Sequence, residues 1–274
     1  MHAHMKTCSR CHVAKAIECF YVRQKLNQCK ACKNAIANKR KRREHQTVDG
    51  RLRNLYNSCR HRHKHIKKYE GEVITFERFK AIYVAQGGVC VETGVLFDLQ
   101  SKDLMPSPDR IDNAVGYVNG NVRFVTWRIN LMRKDMSTSR FQSTCMQVVE
   151  PNESIPVVMP DNMLRFKSTY YQCKDRHKKK HGELVTFERY NAIYQAQGGV
   201  CADTSVPFDW ASKDLMPSPD RIDNAVGYTD GNIRFVTWRI NRMRGGLSVE
   251  DFHATCMQLT HHNKRKFDAE RCGM

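Results

Sequence analysis

The sequence predicts an α+β chain in which a small zinc-binding module and a basic helix precede two copies of one domain, each a short β-hairpin set among helices. Three observations carry that prediction. Two Cys-x2-Cys pairs stand at residues 8–11 and 29–32. A block of thirty-one residues, 102–132, returns at 213–243 with four differences. Within each copy a helical spacing of apolar residues gives way to short β-type runs punctuated by Gly, Asn and Asp.

Composition bounds the partners. The chain has 274 residues, 41% hydrophobic and 27% charged, which suits a folded protein. No apolar run approaches the roughly 18–20 residues of a membrane span, so no membrane role is expected. The stretch Met1–Thr7 lacks the apolar core of a secretory signal, and an intracellular location is expected. The net charge is +18. Residues 1–68 carry nineteen Lys and Arg against Glu18, Glu44 and Asp49, or +16 of that total. A basic block beside a near-neutral body points to a polyanion, and nucleic acid is the usual one. The tracts KRKRR and NKRKF are also compatible with a nuclear address.

From the N-terminus, Cys8, Cys11, Cys29 and Cys32 come first, with seventeen residues between the two knuckles. Two such knuckles complete a tetrahedron of thiolates, the pattern of a zinc ribbon, with no open position for catalysis. A segment this short buries little core, so Zn2+ ligation would supply its folding free energy. His12 and Cys19 are spare candidates. The run from Cys29 lacks Gly and Pro and favours helix. Its Lys39, Arg40, Lys41, Arg42 and Arg43 are placed to follow a phosphate backbone. These features define a module over 1–45.

The repeat matches at an offset of 111, so that ITFERFKAIYVAQGGVC (74–90) recurs as VTFERYNAIYQAQGGVC (185–201) and FQSTCMQV (141–148) as FHATCMQL (252–259). Domain-sized copies follow at 51–148 and 163–260. Between them 149–162 contains three prolines and reads as a linker. Residues 261–274 read as a mobile basic tail. In each copy, Leu52, Tyr56, Cys59 and His63 (Tyr170, Cys173 and His177 in the second) share a helical face. Thr75 is placed to cap a helix over 76–86 that stops at Gly87-Gly88. Strands are expected near Ser107–Asp112 and Asn121–Thr126, a turn at Asn113–Gly120, and a helix from Trp127. Ser248 precedes a further helix in the second copy. Cys90, Cys201, Trp127 and Trp238 read as core residues.

The stretch Ser-x-Asp-Arg-Ile-Asp-(x)3-Gly-Tyr-(x)2-Gly-Asn-Val-Arg-(x)6-Asn-x-Met, with the upstream Gln-Gly-Gly-Val-Cys-x-x-Thr-Gly, resembles the HNH (His-Me finger, ββα-metal) endonucleases in the variant common among phage proteins. The resemblance covers about half the chain and is compatible with a viral or phage origin. It implies a hairpin and helix clasping one Mg2+ or Mn2+. Asp109 and Asp220 would be carboxylate ligands, and Asn130 and Asn241 the second protein ligands. Asn121 and Asn232 would pin the loop between the strands. The family's basic pattern has a His base directly after the Asp, where this chain has Arg110 and Arg221. Arginine stays protonated and cannot accept a proton from water, but it could clamp a phosphate. His63 and His177 are the histidines the copies share, and a packed role suits them better than that of a base. Arg123, Arg128, Arg133, Arg234, Arg239 and Arg244 are expected to track phosphates. The expected function is a metal-dependent DNA endonuclease, RNA being left open, with two nuclease-like units forming a pseudo-dimer in one chain. The alternative is an HNH-fold nucleic-acid-binding protein that does not cleave.

Overall fold

The computed structural model describes the chain except for residues 1–4, 22–26, 46, 67–68, 152–162, 178–181 and 272–274, and except for the side chains of 40–45, 66 and 163. Among the described residues it is a mixed α+β structure whose sheets are three two-stranded antiparallel hairpins. Two compact units divide it, one comprising residues up to Lys68 with Thr75–Lys80, the other Tyr69–Ile74 and Ala81 onward. Among the described residues no helix is long and apolar enough to cross a membrane.

In the first unit, β1 (Met5–Thr7) pairs with β2 (Ala14–Ala16) and carries the first knuckle in its turn. The second knuckle opens α1 (Lys30–His45). Next comes α2 (Val48–His61), with Thr47 Oγ1 accepting the Gly50 N–H at 3.1 Å, and a π-helical turn, Arg62–Ile66, continues it. The wider turn keeps His63 on the inward stripe with Leu52 and Cys59, all three buried. Tyr56 meets Phe76 and Phe79 edge-on, at the start of α3 (Phe76–Ala85). The helix expected to head the first repeat therefore groups with the zinc module, and the start of α3, which covers Tyr56, goes with it.

In the second unit, β3 (Pro106–Arg110) pairs with β4 (Val122–Thr126) in the register Asp109↔Arg123. Prolines at 106 and 108 are tolerated because every strand of a lone hairpin is an edge. Then α4 (Trp127–Arg133) starts at once, with Thr126 Oγ1 accepting the Ile129 N–H. After it, α5 (Thr138–Val149) is capped by Ser137. The course then repeats through α6 (Met163–His177), α7 (Phe187–Ala196), β5 (Pro217–Arg221), β6 (Ile233–Thr237), α8 (Trp238–Arg244) and α9 (Val249–Arg271). The hairpin register is the same, Asp220↔Arg234. Both α4 and α8 end on a residue in the left-handed region, Lys134 at φ 53° and Gly245 at φ 56°. Glycine meets that demand without a Cβ penalty, and Lys134 does not.

Two expectations change. The stretch 261–274 is no loose tail through Arg271, because α9 continues with Leu259 and Thr260 buried and Lys264 paired at 3.3 Å to Glu150, the C-cap of α5. Trp127 and Trp238 are half-buried, each with a lysine (Lys102, Lys213) 5.0 Å above its ring, and are not core anchors. The linker expected at 149–162 lies, from 152 on, outside the described residues.

The two hairpin–helix copies share one core. Phe141, Cys145 and Val148 on α5 and Phe252, Cys256 and Leu259 on α9 have the same 4,3 spacing and belong to one buried cluster with Val125, Ile129, Val236 and Ile240. Equivalent elements meet each other, α5 on α9 and α4 on α8. Cys145 and Cys256 occupy equivalent positions in this core, and the neighbouring Cys256 thiol together with burial pushes the Cys145 thiol well up. Like meeting like is the signature of twofold pairing.

Candidate functional site

The N-terminal thiols form a site suited to metal. The ligand atoms of Cys8, Cys11, Cys29 and Cys32 all lie within 4.8 Å of one another. Thiolates about 2.3 Å from a tetrahedral zinc stand about 3.8 Å apart, so little movement is needed. Cys8 Sγ accepts backbone N–H groups from Cys29 at 3.2 Å and Arg10 at 3.5 Å, and Lys15 Nζ lies 3.6 Å from Cys29 Sγ. Backbone N–H bonds, from Cys29 and then Cys11, bring the Cys8 thiol down to about 5. The hydrogen bond to Cys29, then burial, push Cys32 up to about 12. Four thiolates do not ionise together without a cation, and a divalent ion supplies one. Cys19 packs beside this cluster but is not part of the set, nor is His12. Beyond it, Lys39 is exposed on α1, and the side chains of Arg40, Lys41, Arg42 and Arg43 lie outside the described residues.

The hairpin aspartates are held differently from what the resemblance implies. Asp109 is 3% exposed and Asp220 2%. Asp109 Oδ1 accepts from Arg133 Nη1 at 2.6 Å, and Oδ2 from Arg123 Nε at 2.9 Å. In the second copy Arg244 takes Oδ1 of Asp220, and Arg234 Nε takes Oδ2 at 3.1 Å. Both oxygens of both carboxylates thus face guanidiniums. A hard cation needs exposed oxygens and room for its waters, and in this arrangement Asp109 and Asp220 offer neither, so they do not fit Mg2+ or Mn2+. Among the described residues the four cysteines are the one group of three or more potential ligands gathered together.

The arginines of the cage are structural. Arg133 is the largest fully buried side chain, and its Nη2 also donates to the carbonyls of Arg110 (2.9 Å) and Ile111 (3.1 Å). Arg123 bridges onward to Glu92 at 2.6 Å, and Glu92 accepts from Gln142 Nε2 at 2.8 Å. The second copy repeats the chain with other residues. Arg234 pairs bidentately with Asp203 at 2.6 and 3.0 Å, and Asp203 meets His253 Nε2 at 2.9 Å. Burial pushes the Asp109 carboxyl up despite the pull of Arg133 and Arg123. Asp203 is also pushed up by burial, but the His253 hydrogen bond and Arg234 outweigh that and hold it below the usual carboxylate range.

The other expected site residues also serve the hairpin. Arg110 Nη1 donates to the carbonyls of Asn113 (2.6 Å) and Val115 (3.1 Å) and to the Tyr69 hydroxyl, and its guanidinium lies 5.6 Å over the Tyr117 ring. Arg221 repeats this with Asn224, Val226 and Tyr228. Asn121 accepts the Asp112 N–H at 2.8 Å and donates to the carbonyls of Asp112, Val115 and Gly116, and Asn232 holds Asp223 and Gly227 likewise. Asn130 Nδ2 donates to Ser107 Oγ at 2.8 Å and the Pro108 carbonyl at 3.2 Å, and Asn241 does the same to Ser218 and Pro219. His177 Nδ1 accepts the Tyr228 N–H at 3.0 Å while Nε2 donates to the Gly182 carbonyl, leaving neither nitrogen to act as a base. His63 is buried.

Arg123, Arg128, Arg133, Arg234, Arg239 and Arg244, expected on phosphates, lie within the protein. Arg128 joins Asp103 at 2.7 Å to Asp251 at 3.6 Å across the copies. Arg239 is half-buried near Arg140 and Asp214. Glu92, Gln142, Asp203 and His253 escaped the sequence reading. The signal available was their paired change between the copies, Glu92 with Gln142 and Asp203 with His253.

In the second copy a cavity of about 220 Å3 opens between α6 and the β5–α8 corner, with Asn241, Ser218, Gln172, Arg176 and Arg242 on its walls.

No family model matches the chain. An uncharacterized protein of Acanthamoeba polyphaga mimivirus is 24% identical over 274 residues, covering 89% of this chain and 50% of that protein, so the chain spans about half the length of the relative it matches. Among solved structures, the rare-cutting HNH restriction endonuclease PacI is similar at 18% identity with a TM-score of 0.27, over 51% of this chain and 90% of that one.

Proposed function

We propose that this protein binds DNA as a pseudo-dimer of two HNH-like hairpin–helix units that need no Mg2+ or Mn2+ at their hairpins, with its N-terminal zinc module and basic helix supplying most of the electrostatic affinity. The charge of +16 in the first 68 residues supports the polyanion partner. The observation that carries the choice of binding over cleavage is the arginine cage. Asp109 and Asp220 are buried counter-ions to Arg133 and Arg244, and the arginines that follow them hold loops. The test is binding of a labelled duplex by fluorescence anisotropy, with and without Mg2+, on zinc-loaded protein. Binding of equal strength in both, weakening steeply with salt, is expected. A duplex RNA of the same sequence separates DNA from RNA as partner.

One observation favours the second reading, a metal-dependent DNA endonuclease. Asn130 and Asn241 reach the backbone beside each aspartate, leaving their carboxamide oxygens without a donor among the described residues. Cleavage of supercoiled plasmid that needs Mg2+ or Mn2+ would establish this reading, and would mean that the arginines yield the carboxylates when DNA is bound.

A further inference from the structure

Of the four differences in the duplicated block, one falls on the wall of the second copy's cavity. Arg242 on α8 stands where α4 carries Leu131, which is 43% exposed. The Arg242 guanidinium lies 5.1 Å over the Trp238 ring, and its Nη1 is 2.6 Å from Asp135 of the first copy. That pair is open to solvent, the side chains being 36% and 66% exposed. One carboxylate leaves a guanidinium with donors to spare. Asp135 is pulled below the usual carboxylate range by its hydrogen bond to Arg242, so it stays charged at neutral pH.

The remaining wall is suited to an anion. Arg176 on α6 is exposed at the lip, Gln172 brings a carboxamide and Ser218 a hydroxyl, and among the described residues no carboxylate lines the cavity. At about 30 Å3 per water in the liquid, 220 Å3 holds roughly seven waters, room for a hydrated phosphodiester group. We propose that this cavity is a backbone-phosphate subsite present in the second copy and lacking in the first, with Arg242 and Arg176 as its cations and Asp135 as the counter-ion that phosphate replaces. It rests on the nucleic-acid reading and deepens it. The two copies, alike in their cages, divide the contact with DNA, and only the second grips a phosphate at its hairpin–helix corner.

The test measures duplex affinity by anisotropy across a salt series for the full zinc-loaded chain and three variants, with thermal unfolding as a check on folding. Arg242→Leu makes the second copy like the first. It should remove about one unit from the salt slope and cost about tenfold in affinity at 0.1 M salt. Asp135→Asn frees Arg242 and should tighten binding. Leu131→Arg places the cation in the first copy at an exposed position and should restore part of the salt slope in the Arg242→Leu background. If Arg242 only bridges the copies, Arg242→Leu and Asp135→Asn will lower the melting temperature alike and leave affinity and slope unchanged, and the subsite is overturned. A wild type that binds neither duplex overturns the nucleic-acid reading together with it.

Discussion

Replacing Asp109 with alanine strips the counter-ion from Arg133, which has no exposure of its own. Removing one partner of a buried pair costs about 3–5 kcal/mol, because the other charge is left in a poor solvent. Arg133 would keep only the carbonyls of Arg110 and Ile111, while Arg123 would keep Glu92. In the second copy Arg244 would keep the carbonyls of Arg221 and Leu247 and also Asn224 Oδ1. Asp109→Ala should therefore lie near the top of that range and Asp220→Ala near the bottom. At about 2–4 °C per kcal/mol for a domain of 150–250 residues, the melting temperature should fall by roughly 6–20 °C. Asp109→Asn keeps an acceptor and should cost less, about 1.5–3 kcal/mol. The assay is calorimetric or circular-dichroism unfolding without added Mg2+. An open metal site predicts the opposite, since crowded functional carboxylates are commonly a stability burden whose removal costs little or stabilises. Asp109→Ala unfolding at or above the wild-type temperature would refute the cage. So would a wild type stabilised by millimolar Mg2+ when Asp109→Ala is not.

Four further outcomes are expected. The chain should carry one zinc per molecule, and Cys32→Ser should lose it together with the secondary structure of the first unit, measured by colorimetric zinc release and circular dichroism. At Gly94, which has φ +68°, an added Cβ would sit 2.7 Å from His262 Nδ1. Gly94→Ala should destabilise by about 1–2 kcal/mol from backbone strain alone, and a second change, His262→Ala, should relieve only the remaining steric part in a double-mutant cycle. Asn121→Ala leaves buried backbone groups of Asp112, Val115 and Gly116 without their partner, and should cost at least about 1–3 kcal/mol in urea unfolding. Asp203, held below its unfolded value of about 3.9, gives stability that is complete above that pH and lost as pH falls through the folded value. Asp203→Asn should flatten the acid limb of the urea midpoint plotted against pH.

Much of the fold was legible because its signals are local. Thr75 stands before a helical run and accepts the Arg78 N–H as a cap should. The Asx and Gly residues of 112–121 mark the turn that Asn121 ties. The stripe Leu52, Tyr56, Cys59, His63 is one helical face by spacing alone. The cage was not legible, because nothing near Arg133 in sequence marks it as buried. A Lys/Arg-rich helix end reads as solvated, and its partner Asp109 is twenty-four residues away, reached only once the hairpin closes. The roles of Arg110 and Arg221 were hidden for a different reason, since most of their acceptors are nearby loop carbonyls, which no side-chain pattern marks. The tail was misjudged for the converse reason. HHNKRKFDAER is polar enough to read as loose, but α9 runs on through it and Lys264 finds Glu150 at the end of α5.

The differences between the copies fall where identical residues would meet unlike neighbours. In a dimer of identical chains, every interface contact occurs twice. Here Arg140 pairs with Asp214 at one end of the α5–α9 contact, whereas its counterpart Asp251 shares Arg128 with Asp103 at the other. One end, with Arg140, Asp214 and Arg239, sums to +1, and the other, with Asp103, Arg128 and Asp251, to −1. Pairing first copies together would place +1 at both ends, and pairing second copies would place −1 at both. Charge balance thus favours the pairing within one chain over both like pairings, which is specificity by unfavourable alternatives. The pairs are half-exposed and partly screened by solvent, so each contributes modestly to stability, and their main effect is on which copy meets which. That asymmetry also frees α8 to carry Arg242, since Asp135 answers it from the first copy while the second has Gly246 at that place. Joining the copies in one chain therefore allows two alike scaffolds to present unlike surfaces to one partner.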